Sequence, residues 1–446
     1  MNIIVIGGGI SGMRAALSLT RRGHGVTLLE RNSFLGGRVF SFATPDFGET
    51  DIGQHVWLKC CVALERFLAD LGVPESDIFR QENFAIQYRA PGGKSSALRA
   101  SALPFPFHLL PGLLRFPGLG AGDKFTLMRG MARAKLLSEA ALERLDARSF
   151  ADWLQQHGQS EAVIRALWEP VSLSVCNQRS DTLSARHALF TFRESLLKSR
   201  HAADVCLLRA PLSAVFDRRA GTTLAAAGVT VHTGAMVNAV RPGALPRVEW
   251  REGNGAQTLT GDRVLLALPQ RARHALLQHE AGASSAGVAG GESAIAGLLL
   301  KFARPVMTEP FFAALDSDIQ WVFNKSWVRR EENPDGAQML EIVISGANQE
   351  CAEGGEKVAA RLLPALARLL PAVNGTPLLA QRFVPFAAAT FAMPPGAESS
   401  RPAFAIPLAE NIFPAGDQAA TGWPSTMESA ARAGEMAAAV VPGGRE

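Results

Sequence analysis

The stretch Gly7-Gly8-Gly9-Ile10-Ser11-Gly12 follows an apolar run at residues 2–6 (NIIVI) and opens a segment with helical spacing. Its glycines fit the GxGxxG pattern, in which Gly7 allows a tight turn and Gly9 lets the backbone approach a pyrophosphate. Gly12 permits the following helix to pack closely. The amino end of such a helix presents free N–H groups and a positive dipole end to phosphates. The pattern therefore predicts a dinucleotide-binding turn.

The segments around this turn complete a strand, helix, strand unit. Residues 11–22 have helical spacing, and residues 26–30 (VTLLE) form a second apolar run after a polar turn. Glu30 closes this run, where a carboxylate can accept hydrogen bonds from both ribose hydroxyls of an adenosine. We therefore expect an α/β protein that contains a Rossmann-like nucleotide-binding domain.

Composition restricts the remaining function classes. Hydrophobic residues make up 47% of the 446 residues and charged residues 19%, which predicts a globular chain with more than one domain. The net charge is +4 and the basic residues are scattered, so we expect no nucleic acid partner. The five cysteines lack CxxC spacing and no Cys/His set has metal-ligand spacing, so we expect no disulfide framework and no metal. We recognise no export signal at the start and expect a cytoplasmic protein.

Periodicity along the chain predicts the order of the later elements. We expect helices over 121–200, a helix and short strands over 222–240, a strand over 257–268, a flexible linker over 281–293, strands over 295–345 and a helix from Ser425.

Two further glycine-containing segments resemble the flavin motifs of the superfamily of flavin-dependent amine oxidases and carotenoid desaturases. The first is Gly36-Gly37-Arg38, and the second is Ala415-Gly416-Asp417, which is followed by Thr421-Gly422 and a helix. In that superfamily the acidic residue meets the ribityl chain. The resemblance implies FAD as the cofactor, bound by a Rossmann-like domain of the GR2 type, amine oxidase-like, with a second α+β domain for substrate.

This resemblance assigns cofactor contacts and domains by position. The expected cofactor-binding residues are Gly7, Gly9, Ile10, Ser11, Gly12, Glu30, Arg31, Gly36, Gly37, Arg38, Gln54, His55, Val237, Gly416, Asp417, Ser425, Thr426 and Met427. The FAD-binding domain is expected to comprise residues 1–80, 208–285 and 405–446, with a helical cap for substrate at 81–207 and a substrate-domain sheet at 286–404.

Four stretches resemble one branch of this superfamily, the squalene-associated FAD-dependent desaturases, which are hydroxysqualene dehydroxylases. They are Asp51-Ile52-Gly53-Gln54-His55, Leu167-Trp168-Glu169-Pro170, Asp204 to Arg209 with Leu212-Ser213, and Ala415 to Thr426. The chain departs from the pattern of that branch at Ile52, Leu208 and Gln418, which leaves the substrate open. The resemblance implies reductive removal of an allylic hydroxyl from a C30 isoprenoid, giving squalene for hopanoid synthesis. The sequence shows no second nucleotide motif, so we expect an external electron donor.

Loss of a hydroxyl as water needs one acid-base group close to the flavin. We favour His55 as that acid or as its positioner, because it follows the Gly-Gly-Arg region where the chain should pass the flavin ring. Glu169 and Asp204 are rival catalytic residues. Asp51 is interpreted as a residue that fixes a local turn.

Residues 102–120 (ALPFPFHLLPGLLRFPGLG) are the most lipid-like stretch, but their prolines exclude an ordinary spanning helix. The chain has 24 Phe and a single Tyr, which suits a long hydrocarbon substrate. We expect these residues to dock on a membrane, with the protein peripheral on its inner face. The alternative is that they belong to the core or to a lid over the cleft.

Three other functions remain open at this stage. A carotenoid or phytoene desaturase shares fold and cofactor but removes hydride rather than adding it. An amine or protoporphyrinogen oxidase would want polar anchors or an aromatic cage, which one Tyr makes less suitable. A non-enzymatic prenyl-chain carrier of the GDP dissociation inhibitor type keeps the fold without flavin, and the retained Glu30, Gly36-Gly37-Arg38 and Asp417 argue against it.

Overall fold

The computed structural model describes residues 1–253, 255–278, 280, 282–330 and 336–443. The strands are β1 (Asn2–Ile6), β2 (Gly25–Glu30), β3 (Ser41–Thr44), β4 (Gly48–Asp51), β5 (Val56–Leu58), β6 (Ile78–Arg80), β7 (Ala85–Ala90), β8 (Lys94–Arg99), β9 (Val205–Leu208), β10 (Thr230–Thr233), β11 (Ala235–Arg241), β12 (Arg247–Glu252), β13 (Gly255–Thr260), β14 (Arg263–Leu266), β15 (Glu292–Phe302), β16 (Phe311–Ala314), β17 (Trp321–Asn324), β18 (Gln338–Ser345), β19 (Leu378–Phe391) and β20 (Ile412–Pro414). The helices are α1 (Ile10–Thr20), α2 (Val62–Asp70), α3 (Leu110–Leu114), α4 (Ala121–Leu136), α5 (Glu139–Arg144), α6 (Phe150–Gln156), α7 (Glu161–Val163), α8 (Glu169–Cys176), α9 (Ala185–Glu194), α10 (Ala220–Ala226), α11 (Gln270–Leu277), α12 (Lys325–Arg329), α13 (Asn348–Glu353), α14 (Gly355–Leu369) and α15 (Met427–Ala439).

The nucleotide-binding half is a parallel sheet of five strands in the order β10-β2-β1-β14-β20. Its central strand β1 is buried at all positions after Asn2, as expected for a strand covered on both faces. Helices α1 and α15 pack together at one face. There a Cβ added at Gly434 would lie 2.5 Å from the carbonyl oxygen of Ser11, so only glycine permits this approach.

The segment 257–268 was expected to be a single strand, and this was wrong. It forms the end of β13, in an antiparallel three-stranded sheet, and then β14, in the parallel sheet. The chain turns between them at Gly261-Asp262, where the backbone N–H of Asp262 donates to the carbonyl of Asn2 at 2.8 Å. That hydrogen bond directs the following residues alongside β1.

The second half is a seven-stranded sheet in the order β19-β15-β18-β17-β16-β7-β8, mostly antiparallel. One face of β15 and β18 packs against α14 in a core that includes Leu300, Ile342 and Leu362. Helices α4 to α9, with the segments beside them, form a further core in which Phe150, Trp153 and Trp168 are fully buried. This core also contains Ile86, Ala313 and Phe391, so the helices pack against strands β7, β16 and β19 of the sheet.

The expected linker at 281–293 runs into strand β15 at its last two residues. Ala281 lies outside the described residues, and the following residues belong to no helix or strand until β15 begins at Glu292. They are nevertheless tied to α11, because the N–H of Val288 donates to Gln270 at 2.7 Å and Arg273 donates to the carbonyl of Ala286. Across the described ranges, no helix is both long and apolar enough to cross a membrane.

Candidate functional site

A cavity of about 1100 Å³ lies between the parallel sheet and the seven-stranded sheet. Every cofactor-binding residue predicted from the sequence lines it except Gly12. Gly12 instead faces the preceding turn, and a Cβ added there would lie 1.8 Å from the carbonyl oxygen of Gly7. The structure thus brings together motifs from the first, second and last segments of the predicted cofactor domain.

The glycine-rich turn offers a phosphate site at the amino end of α1. Gly7 has a φ of +108°, and its N–H donates to the carbonyl of Leu29 at 2.8 Å, which fixes the turn between β1 and α1. Gly9 is the residue before the helix, and a Cβ added there would meet no atom closer than 3.9 Å. The space beyond Gly9 is therefore open to a ligand, as a pyrophosphate requires.

Glu30 is held at the end of β2 as a fixed acceptor. One carboxylate oxygen accepts the N–H of Gly8 at 2.7 Å, and the other accepts the N–H of Asn32 at 2.8 Å. The side chain is 5% exposed and lines the cavity. Each oxygen retains a lone pair, so the carboxylate can also bind ribose hydroxyls. Open space at Gly9, free helix N–H groups and this anchored carboxylate fit a dinucleotide.

Asp417 organises the third motif. Its carboxylate accepts hydrogen bonds from Arg38, in the second motif, and from Ser425 at 3.4 Å. Its backbone carbonyl accepts from Arg401 at 2.8 Å. Helix α15 begins just beyond, with the hydroxyl of Thr426 accepting the N–H of Ser429 at 3.2 Å. The positive end of α15 therefore faces the cavity, where it would favour the anionic form of a reduced flavin.

His55 is half-buried and lines the cavity, as the sequence predicted for a cofactor-site residue. Its Nδ1 lies 3.0 Å from the carbonyl oxygen of Gly53, so Nδ1 carries a proton and donates it there. Nε2 is then the ring nitrogen left for other partners. Burial lowers the pKa of His55, although the contact with Gly53 and the charge of Asp51 act in the opposite direction.

The rival catalytic residues do not line the cavity. Glu169 accepts the backbone N–H of Ser180 at 3.1 Å and so closes the loop after α8. Asp204 is buried and accepts from Nδ1 of His201 at 2.8 Å. The Glu169 carboxylate is thus bound to neighbouring backbone, whereas Oδ1 of Asp204 is buried without a hydrogen-bond partner among the described residues.

Asp51 does not fix a local turn, so that interpretation was wrong. Its carboxylate accepts the N–H of Leu212 at 3.0 Å, the hydroxyl of Ser41 at 2.7 Å and a guanidinium N–H of Arg329 at 2.8 Å. The residues Leu212-Ser213, noted only for their resemblance, are thereby docked on Asp51. Sequence reasoning missed its cationic partners Lys325 and Arg329, because they belong to no local motif and approach only through the tertiary fold.

The part of the cavity beyond the cofactor residues has a largely apolar wall. On the sheet it is formed by Ile295, Phe311, Trp321, Phe323, Val343 and Phe386. On the helical side it is formed by Val171, Val175, Phe190 and Leu196. None of these residues was predicted as a site residue. The sequence carried a weak signal in the strand-like run WVFN, but nothing in it indicates which face of the strand meets a cavity.

The fold and the site define a flavin-dependent oxidoreductase of the dinucleotide-binding class. The family described as flavin containing amine oxidoreductase matches residues 10–442, and the chain belongs to it. FAD is accordingly its cofactor.

Two relatives lie at low sequence identity but match nearly the whole chain. The chain is 26% identical to a hydroxysqualene dehydroxylase from Rhodopseudomonas palustris, over 98% of this chain and 97% of that protein. It is 22% identical to a zeta-carotene desaturase from Synechocystis, over 99% and 97% respectively. Among solved structures, cyclohexylamine oxidase from Brevibacterium oxydans is similar with a TM-score of 0.67 at 19% identity, over 98% of each chain, which shows a shared fold.

Proposed function

We propose that this protein catalyses the reductive dehydroxylation of hydroxysqualene to squalene with FAD. The observation that carries the proposal is the apolar wall of the cavity, which adjoins the residues that hold the cofactor. Burial of each methylene of a hydrocarbon contributes about 0.8 kcal/mol, so such a wall favours a long isoprenoid over a polar amine. The stretches that resemble the dehydroxylases, and the full-length relative of that activity, support the same substrate.

The reaction replaces a carbon–oxygen bond by a carbon–hydrogen bond and releases water. Reduced FAD supplies the hydride when bound, and an external electron donor must restore it after each turnover. The leaving hydroxyl requires a proton. We assign that proton to Nε2 of His55, since Nδ1 is committed to the carbonyl of Gly53. The lowered pKa of His55 makes its imidazolium a stronger acid than an ordinary one.

The apolar cavity wall also has a role in the chemistry. An allylic cation left by departure of water can be recaptured by solvent. Side chains such as Phe323, Val343 and Phe386 offer no hydroxyl or amine to react with it. The wall therefore protects the cationic carbon until hydride transfer.

The experiment is anaerobic mixing of photoreduced protein with hydroxysqualene while the oxidised-flavin absorbance is followed and products are extracted. We expect the oxidised band to return in step with squalene, one equivalent per flavin. A His55→Gln variant that keeps FAD should reoxidise far more slowly. Flavin that stays reduced in the presence of hydroxysqualene would overturn the proposal.

The second candidate is a carotenoid desaturase, favoured by the full-length similarity to zeta-carotene desaturase. The same apolar wall suits a polyene, but electrons then pass from substrate to flavin. Oxidised protein would lose its flavin absorbance on anaerobic addition of phytoene or zeta-carotene. That result, without squalene formation from hydroxysqualene, would establish the desaturase.

We also propose that the substrate reaches the cavity from an anionic membrane. The apolar surface patch consists of exposed Leu103, Phe107, Leu114, Phe125 and Leu136, which are between 42% and 82% exposed. Phe125 and Leu136 lie three turns apart on one side of α4, and Lys124 links that helix to the carbonyl of Leu114 at 2.7 Å. Arg129, Arg133 and Lys135 on the same helix supply charge for anionic headgroups.

The apolar surface patch adjoins one end of the cavity. Ser195, Leu196 and Ala203 line the cavity, and the segment that contains them is hydrogen-bonded to the patch region. Lys135 donates to the carbonyl of Leu197, and Arg200 donates to the carbonyl of Leu103, both at 2.9 Å. A hydrocarbon taken from the bilayer at this patch would therefore have a short path to the cavity.

A further inference from the structure

A cluster of buried charged side chains lies between the loop that carries His55 and the seven-stranded sheet. Its members Asp51, Lys325 and Glu341 are 8%, 5% and 1% exposed. None of them lines the cavity, and the assignment of His55 as the acid does not use them. Burying charges is costly unless they are paired, so the arrangement calls for a specific role.

Lys325 is the centre of this cluster. Its Nζ donates to the side-chain oxygen of Gln54 at 2.9 Å and lies 3.4 Å from Asp51. It also makes an ion-pair contact of 3.3 Å with Glu341, whose side chain comes from the neighbouring strand β18. Lys325 follows the last residue of β17, where the side chain of Asn324 accepts the N–H of Trp327 at 3.0 Å and starts α12. The lysine therefore links the substrate sheet to the cofactor side of the cavity.

Asp51 is an anionic partner of Lys325. Burial acts to raise the pKa of Asp51, but Lys325 and Arg329 outweigh it, and the pKa falls to about 2. The carboxylate is thus ionised and also bonded to the segment at Leu212. Burial raises the pKa of Glu341, which sits on the far side of Lys325.

The cluster acts on His55 in two ways. Gln54, which Lys325 holds, immediately precedes His55, and the amide of Gln54 donates to the carbonyl of His55 at 3.2 Å. Two charged side chains also act on the imidazole: Asp51 favours its protonated form and Lys325 disfavours it. Lys325 therefore influences both the orientation of His55 and the protonation of its ring.

We propose that Lys325 is a positioning residue that holds Gln54 and His55 against the cavity and tunes the acidity of the His55 ring. The inference deepens the proposed function, because it rests on His55 as the proton donor. It predicts that removing the ammonium group changes the imidazole even when no substrate is present.

The test is a pH titration of FAD-loaded protein labelled with ¹⁵N-histidine, followed by NMR. The signal of His55 is assigned with His55→Gln. In Lys325→Met we expect the pKa of His55 to rise, because a cation that opposes its protonation is gone while Asp51 stays. Asp51→Asn should shift it downward. An unchanged His55 titration in Lys325→Met would overturn the inference.

The matched control is Lys301→Met, a lysine on strand β15 of the same sheet that does not line the cavity. It should leave the His55 titration as in the unaltered protein. Should Lys325→Met fail to fold, the double variant Lys325→Met/Glu341→Gln also removes the carboxylate that loses its ion pair with Lys325, whereas Asp51 keeps Arg329. The same upward shift is expected from it. Because no substrate enters the measurement, a failed titration prediction is distinct from a failed dehydroxylation assay.

A second readout separates positioning from a structural role. Gln54→Leu keeps the charge of Lys325 but cuts its link to the loop. We expect kcat for hydroxysqualene, expressed per bound FAD, to fall at an unchanged KM. A Gln54→Leu protein with full kcat would contradict the positioning role.

Discussion

The guanidinium of Arg38 donates a hydrogen bond to the carboxylate of Asp417, although the two residues are 379 positions apart in the chain. The Asp417 side chain is 8% exposed and that of Arg38 32%. This ion pair joins the second and third flavin motifs directly. We therefore expect FAD binding to depend on this contact between segments near the two ends of the chain.

We expect Arg38 and Asp417 to act as a unit in binding FAD. Arg38→Met and Asp417→Asn should each weaken FAD affinity, and the double variant should lose less than the two single losses together. The coupling energy should be about 0.5–3 kcal/mol, the range for residues in direct contact. The dissociation constants of FAD, measured by reconstituting the apoprotein of each variant, provide the free energies for this double-mutant cycle. Strictly additive losses would show that the two residues contribute to FAD affinity independently. The control is Arg218→Met, whose side chain is 57% exposed, and it should leave the affinity for FAD unchanged.

Gly12 should not tolerate a side chain. In Gly12→Ala the new Cβ would lie 1.8 Å from the carbonyl oxygen of Gly7, so α1 must move away from the phosphate-binding turn. We expect overpacking to cost roughly 1–3 kcal/mol of unfolding free energy and the purified protein to lose FAD.

Gly122→Ala is the matched control for this change. Gly122 lies inside α4, and a Cβ added there meets nothing within 4 Å. Gly122 is the second residue of α4, where alanine fits and restricts the unfolded chain more than glycine does, so this variant should melt no lower than the unaltered protein and keep its FAD. Similar losses in both variants would argue against the packing explanation.

Glu398 should make stability depend on acid pH. Burial acts to raise its pKa, but His187 and Arg401 outweigh it and lower the pKa to about 2 from the usual 4.5. Because the folded-state pKa is depressed, this carboxylate stabilises the fold above about pH 4.5, and the contribution is lost as the pH falls toward 2. Denaturant unfolding of Glu398→Gln should therefore differ most from the unaltered protein at neutral pH and converge with it in acid.

The control for this pH effect is Glu161→Gln, which removes an exposed partner of Arg165. Such a surface pair contributes little, so its unfolding free energy should follow that of the unaltered protein at every pH. A Glu398→Gln deficit that stays constant from neutral to acid pH would show that packing, rather than ionisation, explains the effect.

The rate of dehydroxylation should rise as the pH falls. His55 must be protonated to donate, and burial lowers its pKa, so the acid form is scarce at neutral pH. We expect single-turnover flavin reoxidation to increase with acidity and to level off below the pKa of His55. His55→Gln should remove this dependence. A rate that increases with pH would mean that the neutral ring acts as a base or acceptor instead.

Local patterns in the sequence were sufficient to predict the nucleotide-binding unit. The order of strand, helix and strand around Gly7 to Glu30 follows from apolar runs and glycine spacing, and the structure has β1, α1 and β2 there. The amine oxidase-like α/β fold with FAD is confirmed. Domain boundaries stay predictions. The error at 257–268 arose because an apolar run does not reveal which of two sheets each half joins.

The candidate site was predictable only where a motif is local. Gly36, Arg38 and Asp417 could be placed from their motifs, and they line the cavity. Lys325 and Glu341 could not, since a single charged residue after a strand is ordinarily solvated, and their pairing depends on strands β17 and β18 lying side by side. Resemblance likewise suggested Glu169, whose carboxylate accepts the backbone N–H of Ser180 and does not line the cavity. Its catalytic role stays a prediction.

The apolar surface patch should control membrane binding. Phe125 and Leu136 are 62% and 82% exposed. Each side chain contributes about 1.5–3 kcal/mol to membrane binding if it is fully inserted into the bilayer. The double variant Phe125→Ser/Leu136→Ser should therefore bind vesicles at least tenfold more weakly. Flotation with phosphatidylglycerol-containing vesicles measures this, and vesicles of phosphatidylcholine alone should bind less, because they lack the anionic charge that attracts α4. Leu245→Ser/Leu379→Ser, with side chains 63% and 55% exposed away from the patch, should float as the unaltered protein does. Equal flotation of both double variants would place the membrane contact elsewhere on the protein.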